Sequence, residues 1–253
     1  MPTLSVIPVR GTSLVEQGSD LLALIRDWLR QAGLALIPHD VVVIAQKIVS
    51  KAEGRARRLD GIEPSARARD LAAQCGKDPR FVQLVLDESV EVVAVGEQLL
   101  IVEHRTGHVM ANAGIDRSNV DQGPGETVLL LPADSNATAM RVAGALSVDA
   151  GGPVGVIISD SFGRPFRLGT IGVALGTAGI EPLIDLRGCP DLFGNLLKTS
   201  EIAAADSIAA AAVLAMGESN EASPLALVRG WTASTKPGGC ESLARPREKD
   251  VFR

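Results

Sequence analysis

Aromatic side chains are scarce in this chain: its 253 residues hold five Phe, two Trp and no Tyr. The stacking platforms that bind single-stranded nucleic acid are therefore missing. A formal net charge of −5 also denies it the basic field that draws a phosphate backbone. Nucleic acid is excluded as the expected partner. Cysteine is equally sparse. Cys75, Cys189 and Cys240 are odd in number, far apart and without paired metal-ligand spacing. They fit a reducing, cytoplasmic setting better than a disulfide framework and are read as inert thiols. No basic stretch followed by a long apolar one opens the chain, because residues 1–10 read as an extended strand. The most apolar segment, Ile202 to Met216, is Ala-rich, interrupted by Asp206 and too short to span a bilayer, so no membrane partner is expected. There is no Gly-x-x-x-x-Gly-Lys-Ser/Thr loop either, and any nucleotide must sit in a different cradle.

What the chain does have is core-forming material, with 46% hydrophobic residues and neither repeats nor low-complexity linkers. Extended runs at Leu4 to Val9, Val41 to Ile44, Val90 to Val95, Leu99 to Val102, Val128 to Leu131 and Val154 to Ser159 alternate with helical periods. The alternation predicts an α/β (mixed α+β) architecture of mixed sheets with covering helices. One helix is expected after a cap at Ser19 or Asp20, its apolar face formed by Leu21, Leu22, Leu24, Ile25, Trp28 and Leu29. Others are expected over Ser65 to Cys75, Pro79 to Leu86, Ala137 to Leu146 and Ile202 to Met216. The whole chain, 1–253, is read as one domain, with Gly151-Gly152-Pro153 the only candidate for an internal subdivision near 149–153. The tail over 232–253, rich in Gly, Pro and charge, is read either as partly disordered or as packed on a neighbouring subunit.

Three segments bear chemistry. The run Val156 to Ser159 leads into Asp160, Ser161, Arg164 and Arg167, with Gly163 and Gly169 expected to turn the backbone tightly around them. Asp160 and Ser161 offer hard oxygen ligands suited to Mg²⁺ or Mn²⁺, and the arginines suit phosphate oxygens. A second acidic turn after residues 99–111 carries Asp116 and Asn119. A third segment follows Val41 to Ile44 and presents Lys47, Ser50, Lys51 and Arg55, with Lys51 a point charge for a phosphate. Each segment alone reads equally well as a solvated polar turn or helix face. Their conjunction is more informative.

Ile7-Pro8-Val9, Val49-Ser-Lys-Ala-Glu-Gly-Arg55, Asn112-Ala-Gly-Ile-Asp116 with Ser118-Asn119-Val120, and Ser159-Asp-Ser-Phe-Gly-Arg-Pro165 occur in that order. Together with Leu129-Leu-Leu-Pro132, Asp191-Leu192-Phe193-Gly194 and Val228-Arg-Gly230, they make a chain that resembles the coenzyme F420-0:gamma-glutamyl ligase family over nearly its whole length. The resemblance implies that family's fold as an intertwined homodimer. It also implies a GTP-dependent amide ligase that adds L-glutamate to the deazaflavin precursor F420-0 through an acyl phosphate. Nucleotide contacts carried over are Thr12, Ser13, Leu14, Val15, Gln46, Lys47, Lys51 and Asn119. Metal contacts carried over are Asp116, Asp160, Ser161 and Asp206, for one or two Mg²⁺ or Mn²⁺ ions, with K⁺ as a further ion. Lys51 and Arg164 would balance charge on the transferred phosphoryl group.

Two departures stand out. Asp206-Ser207 replaces the family's Asp-Glu pair, so that either Asp206 or Glu201 compensates, water fills the vacancy, or a second metal is bound weakly, and Asp134-Ser135-Asn136 replaces Asp-Pro-Asp. Three alternatives remain open at the level of sequence. One is a relative that ligates an amino acid to another carboxylate, one a catalytically silent nucleotide- or metal-binding homologue, and one a structural homodimer without a ligand.

Overall fold

The structure, a computed structural model, describes residues 3–122, 125–231 and 237–251. Among the described residues, twelve strands and six α-helices follow one another in a mixed α/β order. The strands are β1 (Ser5–Val9), β2 (Val41–Ala45), β3 (Ala56–Arg58), β4 (Ser89–Gly96), β5 (Leu99–His104), β6 (Val109–Ala111), β7 (Thr127–Leu129), β8 (Gly155–Arg164), β9 (Arg167–Ala178), β10 (Leu183–Asp185), β11 (Glu201–Ala203) and β12 (Leu225–Arg229). The helices are α1 (Leu21–Gln31), α2 (Gln46–Ala52), α3 (Ala66–Cys75), α4 (Pro79–Asp87), α5 (Ser135–Ala150) and α6 (Ala204–Met216).

Five strands form the main sheet in the order β1-β12-β2-β8-β9. All its pairings are antiparallel except β2 with β8, which runs parallel. At its centre Val41, Val42, Val43 and Ile44 are fully buried, the continuous apolar reading of a strand covered on both faces. Val42 and Ile44 join Val156, Ile158, Leu225 and Leu227 under α1 and α5, while Val41, Val43, Ile157 and Ala226 face α6. Helix α1 starts where Asp20 Oδ1 accepts from the amides of Leu22 and Ala23, both at 3.1 Å. It buries Leu21, Ile25, Trp28 and Leu29 on one stripe. Helix α6 buries Ala205, Ala209 and Ala212, and these short side chains let it lie close on β9 at Gly172.

A second core, built from Leu59, Phe81, Val85, Leu100, Val102 and Leu130 among others, belongs to α3, α4, the β4-β5-β6 meander and the β3-β7 pair. Arg55 ties it to the main sheet unit, donating to Leu131 O at 2.8 Å and to the buried Glu88 Oε2 at 2.8 Å. Gly151, in the left-handed conformation, closes α5 and leads directly into β8.

The structure corrects several sequence readings. The segment from Asp160 to Arg164 continues β8 through a bulge beside Ser159 and pairs with β9 as far as Arg164 with Arg167. The reversal falls at Pro165 and Phe166, whose φ is +63°. Gly169 does take a positive φ, but Gly163 lies within the strand, because cross-strand pairing continues where a turn was expected. Strand β7 stops at Leu129, and Ile202 belongs to β11 rather than to the helix. In the tail, Cys240 and Arg247 meet this chain's own body. Cys240 is buried in the α6 core, and Arg247 bonds Glu91 at 2.6 Å. The rest of the tail reading, on 232–236 and 252–253, lies outside the described residues. Among the described residues, no helix is long and apolar enough to cross a membrane.

A Cβ added at Gly172 would lie 2.5 Å from Ala209 O, whereas one at Gly163 meets nothing within 4 Å. Gly172→Ala is therefore expected to destabilise the chain by about 1–3 kcal/mol, the usual cost of overpacking. Gly163→Ala is expected to be nearly neutral, and thermal denaturation of the two variants checks the contrast.

Candidate functional site

Strand β2 runs into α2 without a loop. Ala45 is extended, and Gln46 is already helical. Because Ala45 pairs with Ser159 in the parallel register, Gln46 and Lys47 emerge beside Asp160 at the carboxyl end of the β2-β8 pair. This is the end at which open α/β sheets bind ligands. Asp116 arrives from the second unit. Its backbone is held by a two-way bridge to Leu129, with both N···O distances 2.9 Å.

The three segments meet through hydrogen bonds. Gln46 Nε2 donates to Asp116 Oδ2 at 2.8 Å, and Gln46 Oε1 accepts from the buried Ser50 hydroxyl at 2.9 Å. Lys47 Nζ lies 3.4 Å from Asp116 Oδ1 and donates to Ser118 Oγ at 2.8 Å. Burial, and then the neighbouring Asp116 charge, push the Asp160 carboxyl up to about 7. Burial also raises Asp116, against the opposing pull of Lys47 and Gln46. Lys51 is lowered by burial and then by Lys47. Two like-charged carboxylates and two like-charged ammonium groups are thus held in a half-buried site, an arrangement that rewards binding of a cation beside an anion.

Above them opens a cleft of about 530 Å³, a volume suited to a nucleotide-sized ligand. Thr12 to Val15 form one wall, and Gln46, Lys47 and Lys51 line it from α2. Asn119, Asp160 and Ser161 lie on further walls, and the loop from Gly217 to Pro224 closes the side over α6. The Ser223 hydroxyl is buried behind this wall without a hydrogen-bond partner among the described residues. Thr12 and Asn119 already hold the loop, through Ala222 O at 3.0 Å and Ser219 O at 3.1 Å. Asp116 supports the cleft from behind Gln46 and Lys47 and is not part of its lining.

Two expected residues lie elsewhere in the subunit. Arg164 is further out on the β8-β9 hairpin, donating to Gly169 O at 3.2 Å, and does not line the cleft. Asp206 accepts from Ala174 N at 2.9 Å and lines a separate cavity of about 300 Å³ with His108, Asn136 and Cys240. Neither is brought to Asp116 and Asp160. Ser207 turns back to Ala203 O at 2.9 Å, and Glu201 is 3.4 Å from Arg187, so neither replaces a cleft carboxylate.

Sequence reasoning missed Glu218. Its Oε2 accepts from Ser161 Oγ at 2.8 Å and its Oε1 from Thr170 Oγ1 at 3.3 Å, which puts a further carboxylate on the cleft wall beside Asp160. The available signal was the polar run Gly217-Glu-Ser-Asn-Glu221 between an Ala-rich helix and an apolar strand.

The donors fit a hard divalent cation. Among the described residues no three His, Cys, Asp or Glu side chains are grouped closely enough to form a complete cage. Mg²⁺ does not need one, since one or two carboxylates plus substrate phosphates and water commonly hold it. Asp160 on the wall and Asp116 behind it carry acidic groups, and Ser161 and Glu218 carry further oxygens on the wall.

The family model described as F420-0:Gamma-glutamyl ligase matches residues 11–230. The chain is 45% identical over 252 residues to the coenzyme F420:L-glutamate ligase of Methanothermobacter thermautotrophicus, covering 99% of each. It is 44% identical to the protein of that name from Methanocaldococcus jannaschii, over 85% of this chain and 84% of that one. The identity is 40% with the Archaeoglobus fulgidus protein of that name, over 99% and 96%.

The electrostatics make a signed prediction. With the Asp160 pKa raised from 3.8 to about 7 on folding, the folded chain binds the extra proton between those values, so this group's contribution to stability falls as pH rises through that window. Metal-free Asp160→Asn is expected to melt higher than the unsubstituted chain at pH 8, by about 2–4 °C for each kcal/mol relieved. The difference should shrink towards pH 5, as differential scanning calorimetry in chelator would show.

Proposed function

The chain belongs to the F420-0:gamma-glutamyl ligase family, a family of carbon–nitrogen ligases of coenzyme F420 biosynthesis, and we propose that it joins L-glutamate to F420-0 with GTP as the activating co-substrate. The observation that carries this reading is a convergence. Residues from four separated segments (Thr12 to Val15, Gln46 to Lys51, Asn119, and Asp160 with Ser161) line one nucleotide-sized cleft.

A carboxylate is a poor electrophile, so amide formation needs it activated. A carboxylate oxygen of F420-0 attacks the γ-phosphorus of GTP, GDP leaves, and an acyl phosphate forms. The glutamate amine then attacks the acyl carbon, phosphate departs with the C–O bond electrons, and the amine loses its proton. The protein's part is positioning and charge neutralisation. Thr12 to Val15 and Asn119 border the nucleotide. Lys47 and Lys51 face the phosphates, and an anion between them relieves the repulsion that lowers Lys51. Mg²⁺ or Mn²⁺, held by Asp160, Asp116 and Ser161, would neutralise phosphate charge when bound.

Glu218, rather than Asp206, is the carboxylate we assign to a second ion, because Asp206 is spent on Ala174 N beside another cavity. Among the described residues we assign no potassium site. The same activation chemistry would serve a related acceptor carboxylate, and the precursor is the part of this reading taken from the relatives' names.

A homodimer is supported by the exposed apolar side chains Leu168, Leu192 and Phe193, which are 90% or more accessible in the single subunit. The free thiols of Cys75, Cys189 and Cys240 agree with a cytoplasmic setting.

Incubation with F420-0, L-glutamate, GTP and Mn²⁺ should give glutamate mass additions matched by GDP, as read by mass spectrometry. Lys51→Ala and Asp160→Asn are each expected to lower turnover by about 100-fold or more while remaining folded. GDP without extended coenzyme would mean a different acceptor.

A further inference from the structure

Two motifs of the sequence find their use in each other. Val49-Ser-Lys-Ala-Glu-Gly-Arg55 carries Lys51 to the cleft, but its last three residues do not line it, and Leu129-Leu-Leu-Pro132 lines it nowhere. Helix α2 ends at Ala52, Gly54 takes the left-handed conformation, and Arg55 N donates back to Ser50 O at 2.9 Å. The chain then grips the segment that holds Asp116. Arg55 O accepts from Leu130 N at 3.2 Å, Arg55 Nε donates to Leu131 O at 2.8 Å, and Glu53 Oε2 accepts from Ala133 N at 2.9 Å. The other arm of the guanidinium donates to Glu88 Oε2 at 2.8 Å, with only 13% and 9% of the two side chains exposed, so the pair is largely out of water. Arg105 Nη2 is 3.0 Å from the same oxygen, and Nε2 of the fully buried His104 is 3.6 Å from it. Burial pushes the Glu88 carboxyl up, but His104, Arg55 and Arg105 outweigh it and hold it below its usual range. Two residues back from Leu131, Leu129 exchanges both backbone hydrogen bonds with Asp116. The contacts close into a ring. Gln46 and Lys47 touch Asp116 from the start of α2, and Arg55 holds the Leu129 to Leu131 segment just past the end of the same helix. A seven-residue helix is a stiff rod of about 10 Å, so the ring leaves Asp116 one position against Gln46 and Lys47.

We propose that Arg55, anchored on Glu88, is a positioning residue for the divalent cation, fixing through Leu131 and Leu129 where the Asp116 carboxylate stands. The proposal rests on the cation reading of Asp116 given above. It calls for a guanidinium, because one planar fork serves Leu131 O with one N–H and Glu88 with another, whereas an ammonium is a single point charge. Groups that orient a metal's ligands without touching the metal change its affinity by about 10–100-fold when they are altered.

Binding of Mn²⁺ alone to the full chain, followed by electron paramagnetic resonance, tests it. Arg55→Lys is expected to stay folded, to bind GDP in chelator as the unsubstituted chain does, and to weaken Mn²⁺ by about 10-fold or more. Its turnover should recover as Mn²⁺ is raised to saturation. Asp116→Asn is expected to weaken Mn²⁺ further, and adding Arg55→Lys to it should cost nothing more, since both changes act through one carboxylate. Glu88→Gln keeps the fork's geometry and removes its charged anchor, so it should fall between Arg55→Lys and the unsubstituted chain. If Arg55→Lys does not fold, Glu88→Gln with and without Asp116→Asn carries the same comparison. Unchanged Mn²⁺ affinity in the folded variant would overturn the proposal. So would parallel losses of Mn²⁺ and GDP affinity, or a further loss on top of Asp116→Asn, because Arg55 would then be holding the whole cleft rather than Asp116. An Asp116→Asn chain with undiminished Mn²⁺ affinity would instead sink the cation reading on which the proposal rests.

Discussion

Everything in the site depends on one parallel pairing, Val41–Ala45 of β2 beside Gly155–Ser159 of β8. Parallel neighbours cannot be joined by a tight turn, so the chain from Gln46 to Val154 must serve as a crossover. Here that crossover contains α2, the whole second unit and α5. The register puts the first residues of α2 next to Asp160. The path of the crossover then brings Asp116 back against Gln46 and Lys47. Slipping the pairing by one residue would turn Asp160 to the other face and bury the wrong side of β2.

The same geometry concentrates unfavourable charge. Asp160 and Asp116 repel each other where burial already disfavours their ionised forms, and Lys51 is depressed by burial beside Lys47. A packed sheet unit with apolar faces on both sides holds these groups in place. Such a site carries unfavourable electrostatics when empty, and under the proposed function a cation with an anion between the two sets would relieve them.

The β8-β9 hairpin connects core, cleft and outer surface. Its inner half is sealed beneath α5 and α6, its middle presents Asp160 and Ser161, and its outer end carries arginines and apolar side chains into solvent. Gly172, pressed under Ala209, keeps α6 close, and the loop after that helix thereby places Glu218 against Ser161 and Thr170.

Local pattern determined much of this protein by itself. The stripe of Leu21, Ile25, Trp28 and Leu29 behind Asp20 and the unbroken apolar run of β2 act within a few residues, so they are legible without the fold, whereas the caps at Ser65, Asp78 and Asp134 went unread. The motifs around Lys51, Asp116 and Asp160 were legible as chemistry, but not their meeting. Only the tertiary structure decided that Asp160 lies in a strand rather than a turn, because its conformation is set by pairing with Val173. It likewise decided that Glu218 reaches the cleft, while Asp206 bonds Ala174 N beside another cavity and Arg164 projects outward. The physical reason is that residue type and spacing govern short-range periodicity and capping, whereas convergence depends on strand register and helix approach between segments a hundred residues apart.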